Sequence, residues 1–198
     1  MTDMPRRIAL WLTLCAVAIA LVGIAGYHAA VTAGQFIPRA EMAALSVTVL
    51  LSTVTVAATI AAVAKRQASG PAGIIAYRGQ PFVNAPTAAF ILGMLAYLIV
   101  YPPTPWVFDT MLALAFVFGF MLALPIHRPD LPPVVALLNG FAGLAACAAG
   151  FALGNGLLIM AGLLVAIAGF LLAIRTRHTM TRSLYGALCT AFREARKR

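Results

Sequence analysis

Asn139 is a polar side chain set deep within an apolar stretch of this sequence. It lies in DLPPVVALLNGFAGLAACAAGF, about six residues, or roughly 9 Å of helix, inside one end of a predicted membrane span. An amide in hydrocarbon needs hydrogen-bonding partners, which a neighbouring helix or a hydrated path can supply. On the residues alone, a hydrogen bond between helices is the favoured interpretation, and a hydrated path through the membrane is the alternative.

Histidine and charged side chains are missing from the interiors of the predicted spans. Residues 8–27 contain no histidine, aspartate, glutamate or lysine, while His28, Glu41 and Asp109 fall near predicted helix ends. Charged groups inside a membrane are costly enough that they usually mark function. A further polar candidate is Thr59, although a threonine in a membrane helix usually hydrogen-bonds to its own backbone.

The three cysteines indicate neither a metal site nor a disulfide framework. Cys15 and Cys147 fall within predicted helices and Cys189 near the C-terminus, with no spacing typical of metal ligands. A buried cysteine usually packs as a small hydrophobic residue. We therefore expect no metal ligand among them, and no residue of the chain is a candidate for catalysis or for cofactor binding.

Small residues recur along the last two predicted helices at a spacing that allows another backbone to approach closely. Ordinary packing of membrane helices is sufficient to explain both stripes. The stripes consist of Ala142, Ala146, Gly150 and Gly154, followed by Gly162, Ala166, Gly169 and Ala173.

The composition places the chain among integral membrane proteins. Of its 198 residues, 63% are hydrophobic and only 10% are charged, against about 25% charged in a soluble protein. Apolar runs long enough to cross the bilayer as helices predict an all-α polytopic bundle of six transmembrane helices. The predicted spans are about 8–30, 41–64, 84–101, 106–126, 132–153 and 157–174.

Two regions follow from this assignment. Residues 1–177 form the six-span domain, and residues 178–198 form a basic tail in which apolar residues repeat every four positions. That spacing predicts an amphipathic helix on the membrane surface. The tail contains no glycine-rich phosphate loop, so we expect no dinucleotide site on this polypeptide.

Basic residues predict the orientation. With the N-terminus in the cytoplasm, every lysine and arginine except Arg39 lies on the cytoplasmic side, as the positive-inside rule prefers. Topology and anionic lipid thus explain the net charge of +9 without nucleic acid. The apolar run after Arg6 and Arg7 exceeds the 7–15 residues typical of a signal peptide, so we interpret it as a span.

Residues 130–192 closely resemble the last two membrane helices of the beta subunit of proton-translocating NAD(P) transhydrogenase. The resemblance rests on DLPPVVALLNGFAGLAACAAGF and LLIMAGLLVAIAGFLLAIRTRHTMTRSL, and continues more weakly through all six spans, including RAEMAALSVTV. It implies the last six of that subunit's nine helices, in a bacterial inner (plasma) membrane. It also implies NAD and NADP in the complex and an oligomer. The implied partners are NAD-binding, NADP-binding and further membrane subunits.

The resemblance also implies roles for individual residues. Asn139 matches the family's helix asparagine that faces the proton channel, and Thr59 is a candidate match for a channel serine. Asp130 matches a cytoplasmic aspartate facing the NADP-binding domain, although capping of the following helix is its simpler role. Arg182 and Ser183 match the start of the linker to that domain.

Four family positions are retained or changed in informative ways. Gly162 and Gly169 match helix glycines thought to help transmit movement, while Ala166 replaces a third. Leu12 falls where the family carries a membrane histidine essential to proton passage. The resemblance therefore implies either the membrane part of a transhydrogenase whose nucleotide domains lie on other chains, or an inactive scaffold or regulatory subunit derived from one.

Overall fold

Six α-helices make up the computed structural model, which describes residues 4–67, 80–124 and 131–176. Each helix contains a run long and apolar enough to cross a membrane, and no strand occurs in the described ranges. The predicted all-α six-helix fold is therefore confirmed. The helices are α1 Met4–Thr32, α2 Arg39–Gln67, α3 Gln80–Val100, α4 Pro105–Ala123, α5 Leu131–Ala152 and α6 Gly156–Thr176.

The ends of these helices fall within a few residues of the predicted spans. The proposed amphipathic tail, 178–198, lies outside the described residues, so the division of the chain into two regions stays a prediction.

Helix α2 is the central helix of the bundle. It packs against α1, α3, α4 and α5, and 67% of its membrane-spanning window is buried, against 17% for α3. Small residues allow neighbours to approach it closely. A Cβ placed on Gly119 of α4 would lie 2.6 Å from the carbonyl oxygen of Val54, and one on Gly23 of α1 would lie 2.7 Å from Val49 Cγ2.

Helices α5 and α6 form a tight antiparallel hairpin. Gly154 adopts φ 62° in the connecting turn, a conformation that glycine accepts without strain. Asn155 then caps α6, because its side-chain oxygen accepts the Leu158 backbone N–H at 3.2 Å. The hairpin packs on the rest of the bundle mainly through α5, which contacts both α2 and α1.

One end of the bundle joins α1 to the start of α4. The Tyr27 hydroxyl donates to the carbonyl oxygen of Pro102 at 2.8 Å, and the Tyr27 ring stacks on Phe108 with centroids 3.9 Å apart. Beside them, His28 Nε2 lies 3.0 Å from Asp109 Oδ1. These contacts fix the C-terminal end of α1, whereas its N-terminal half packs against α2 and α5.

Candidate functional site

A cavity of about 660 Å³ lies between α1, α5 and α6, closed at one side by the last turns of α2. Its lining side chains are apolar apart from Asn139, Cys15 and the indole of Trp11. The lining residues are Trp11, Leu12, Cys15, Ile19, Ala62, Val63, Pro132, Val135, Ala136, Asn139, Ala142, Gly143, Ala146, Leu158, Ala161, Gly162, Val165 and Leu172.

Asn139 contributes the amide of this cavity from the middle of α5. The side chain is half-buried, and it makes no hydrogen bond with any residue that the structure describes. The neighbouring Gly140 is buried against the Phe170 ring of α6, since a Cβ there would lie 2.8 Å from Phe170 Cε1. The amide is therefore presented to the cavity with both a donor and an acceptor available.

Leu12 lines the same cavity from α1. Its side chain is 7% exposed and packs in a cluster with Ala58, Leu138 and Ala142. Cys15 is the one titratable side chain among the described residues that line the cavity, so the described walls hold no histidine or carboxylate. The site can offer an amide hydrogen bond, but the described residues provide no proton carrier other than this thiol.

The floor of the cavity is the seam between α5 and α6. A Cβ added to Gly162 would collide with the Cys147 backbone nitrogen, and one added to Gly169 would collide with the Gly140 backbone nitrogen. Gly162 lines the cavity, whereas Gly169 lies in the seam without lining it. Both positions allow two helix backbones to touch, which is how small residues associate membrane helices.

Thr59 does not line the cavity. It is fully buried on α2, and its hydroxyl donates to the carbonyl oxygen of Thr55 at 2.6 Å. Three other hydroxyls on the same face of α2 were not among the predicted polar candidates. Thr48, Ser52 and Thr55 precede Thr59 at spacings of four, three and four residues, and each donates to a backbone carbonyl of its own helix.

That spacing places the four hydroxyls on one face of a helix, and it was the signal that could have identified them. Thr48 also reaches the carbonyl oxygen of Ala145 on α5 at 3.4 Å. Two further hydroxyls, on Ser46 and Thr53, are buried without a hydrogen-bond partner in the described structure. These buried hydroxyls of α2 thus lie in packed protein rather than in the cavity.

Comparison with known proteins decides the family. A sequence model described as the NAD(P) transhydrogenase beta subunit matches residues 1–198. This chain belongs to the NAD(P) transhydrogenase beta subunit family. Two Rhodospirillum rubrum proteins described as NAD(P) transhydrogenase subunit beta are 42% identical to it over 82 residues. The match covers 41% of this chain and 18% of each relative, so the chain spans a small part of their length.

Within this beta-subunit-family chain, the structure brings together Asn139, Leu12 and Gly162 at the cavity, and it sets Thr59 and Gly169 apart from it. Asp130, Arg182 and Ser183, predicted to contact a nucleotide-binding domain, lie outside the described residues. No cluster of three or more potential metal ligands occurs in the described ranges.

Proposed function

We propose that this chain is the membrane part of a proton-translocating NAD(P) transhydrogenase, in which hydride transfer between NAD(H) and NADP(H) is coupled to proton movement. One observation carries the proposal beyond family membership. Asn139 and Leu12, which correspond to the family's channel asparagine and membrane histidine, line the same cavity although 127 positions separate them in the sequence. That convergence is expected if the cavity derives from a proton pathway.

In this proposal Asn139 is the polar group of the cavity wall, positioned to hold a water molecule or a protonated partner by hydrogen bonding. Leu12 cannot bind a proton. The titratable group would therefore come from another membrane chain that reaches the cavity. Thr59, whose hydroxyl is hydrogen-bonded to its own helix, would pack behind the lining residues and would not contact the proton.

Coupling to the nucleotides would run through the α5–α6 hairpin. Gly162 and Gly169 hold its backbones in contact, so a displacement at one end of the hairpin would move both helices together. Asp130, Arg182 and Ser183 flank the hairpin in sequence, and we propose that they contact the nucleotide-binding domain. NAD and NADP would bind to other chains of an oligomeric complex.

The proposed setting is a bacterial inner membrane with both termini in the cytoplasm. The distribution of lysine and arginine between the segments joining the helices supports this orientation.

A second function, that of an inactive scaffold or regulatory subunit, is favoured by the apolar cavity. Large apolar cavities in proteins stay dry, and the Leu12 cluster with Ala58, Leu138 and Ala142 seals one wall with hydrocarbon. A chain retained for its helix interfaces would keep the glycine seam without needing the histidine, whose family position Leu12 matches.

The deciding experiment is gentle purification from the native membrane, followed by identification of the co-purifying chains and an assay of hydride transfer from NADPH to an NAD analogue. A split transhydrogenase predicts nucleotide-binding subunits and activity that responds to a proton gradient. Isolation of the chain with unrelated partners and no activity would instead establish the scaffold.

A further inference from the structure

Exposed aromatic side chains gather at one end of the bundle, where α1 ends and α4 begins. Tyr101 follows α3 directly, Trp106 lies in the first turn of α4, and Phe36 lies in the turn that joins α1 to α2. The hydrogen bond from Tyr27 to Pro102 shows that these two turns meet at the same end. Trp106 is 70% exposed and Phe36 is 89% exposed.

We propose that Phe36, Tyr97, Tyr101 and Trp106 form an aromatic belt that inserts into the interface of one bilayer leaflet, where acyl chains meet headgroups. The partner is the glycerol and headgroup region of diacyl phospholipid. The inference goes beyond the proposed function and holds whether or not a proton passes Asn139.

The belt carries polar atoms that the described protein leaves unpaired. The hydroxyls of Tyr97 and Tyr101 and the indole N–H of Trp106 make no hydrogen bond with residues of the described ranges. The buried Tyr27 instead donates to Pro102. A ring in hydrocarbon with its polar atom among the headgroups is the arrangement that concentrates tryptophan and tyrosine at membrane interfaces.

The exposed residues of α3 and α4 are sorted by depth. Close to the belt they include two polar ones, Asp109 and Thr110. Farther along, every exposed residue is apolar, from 83 to 96 on α3 and from 113 to 123 on α4, and Phe90 and Phe116 are among them. A bilayer imposes such sorting, because its hydrocarbon accepts no unpaired polar group and its interface does.

The belt lies where the apolar spans end. The spanning runs of α3 and α4 are Val83–Val100 and Pro105–Ala123, so Tyr101 is the first residue beyond one run and Trp106 is the second residue of the other. At 1.5 Å per residue, each run is roughly 27–29 Å long, close to the thickness of the hydrocarbon core at about 30 Å. A belt at one interface therefore lets both helices reach the opposite one.

The belt is separate from the cavity beside Asn139. Helices α3 and α4 pack on α2 and on each other, whereas the cavity lies between α1, α5 and α6, and no belt residue lines it. A second membrane chain at the cavity therefore has no need to cover the faces of α3 and α4 that carry Tyr97, Tyr101 and Trp106.

The fluorescence of Trp106 measures the depth of the belt. The Trp11→Phe variant leaves Trp106 as the one indole of the chain. The full chain with this substitution is reconstituted in phosphatidylcholine vesicles whose acyl chains carry bromine either near the glycerol or near the methyl end. Bromine quenches an indole on contact, so Trp106 should be quenched more strongly by the bromine near the glycerol.

Phe90 provides the matched control. It is an exposed aromatic residue on the same face of α3 as Tyr101, and it lies roughly 16 Å deeper at 1.5 Å of rise per residue. In a chain that carries Trp11→Phe, Trp106→Phe and Phe90→Trp, the order should reverse, and the bromine near the methyl end should quench more strongly.

Two further reporters test whether the aromatic residues share one depth. Tyr101→Trp and Phe36→Trp, each in a chain that carries Trp11→Phe and Trp106→Phe, should show the same order of quenching as Trp106. Circular dichroism verifies that each variant is folded.

Stronger quenching of Trp106 by the bromine near the methyl end would overturn the proposal, as would opposite orders for the belt reporters. Protection of Trp106 from both bromines would overturn it too. Iodide added to the water then identifies the reason, since iodide quenches an indole outside the bilayer but not one that a protein segment covers.

Discussion

Gly143 and Gly162 face each other across the α5–α6 seam in a reciprocal contact. A Cβ added to Gly143 would lie 2.8 Å from the carbonyl oxygen of Gly162, and a Cβ added to Gly162 would lie 2.8 Å from that of Gly143. Neither obstruction is the flexible end of a side chain, so the helices themselves would have to separate. The seam therefore depends on glycine at both positions.

Gly162→Ala should destabilise the protein by about 1–3 kcal/mol, the usual cost of overpacking a well-packed interface. Steric trapping or thermal unfolding in the same detergent measures the change. Gly93→Ala on α3 is the matched control, because no side chain and no atom of a neighbouring helix lies within 4 Å of the added Cβ. That change should stabilise the helix by about 0.5–1 kcal/mol. Equal effects of the two substitutions would contradict the close contact at the seam.

Apolar length alone was enough to predict the six helices, because a run that must cross hydrocarbon as a helix leaves the backbone no alternative. The small residues of α6 likewise predicted close packing. The sequence did not reveal which residue meets Gly162, since the pairing of α5 with α6 depends on the turn at Gly154 and Asn155.

The rotation of each helix about its own axis was harder to predict. Which residues line the candidate site depends on that rotation. Asn139 and Leu12 face one cavity because α1 and α5 both pack on α2, and no local pattern encodes that relation. Thr59 illustrates the same difficulty. It lies on α2, which is mostly buried in the bundle. The pattern of polar residues along such a helix does not indicate which of its faces points toward the cavity.

Under the proposed function, Asn139→Leu should abolish proton-coupled hydride transfer in the complex and leave folding intact. Leucine fits a half-buried position in an apolar cavity but supplies neither donor nor acceptor. The readouts are NADPH-dependent reduction of an NAD analogue under a proton gradient and the thermal stability of the same preparation. Asn155→Ser, which keeps a capping side chain at the α5–α6 turn, should leave both unchanged. Normal coupled turnover in Asn139→Leu would remove the amide from the mechanism.

A histidine introduced at Leu12 should interact with the Asn139 amide. Both side chains line the cavity, so an imidazole at Leu12 can gain a hydrogen bond that compensates part of its burial cost. A double-mutant cycle of Leu12→His with Asn139→Leu should show a favourable coupling free energy of about 0.6 kcal/mol, the average for such bonds in membranes. Steric trapping of the four proteins measures it.

The matched cycle pairs Leu12→His with Thr59→Val. Thr59 bonds to its own helix and lies outside the cavity, so that coupling should be near zero. A larger coupling to Thr59 than to Asn139 would contradict the placement of Leu12 and Asn139 at the same cavity.

Tyr27→Phe should weaken the attachment of α1 to the segment between α3 and α4 by about 1 kcal/mol, the net value of a typical hydrogen bond. The substitution removes the hydroxyl that donates to Pro102 and keeps the ring stacked on Phe108. Asp109→Asn is the comparison, because its contact with His28 is between exposed groups, 40% and 54% accessible, and such pairs contribute little. Steric trapping should therefore rank Tyr27→Phe as the more destabilising change. The opposite ranking would show that the exposed pair, rather than the buried tyrosine, holds α1 at this end of the bundle.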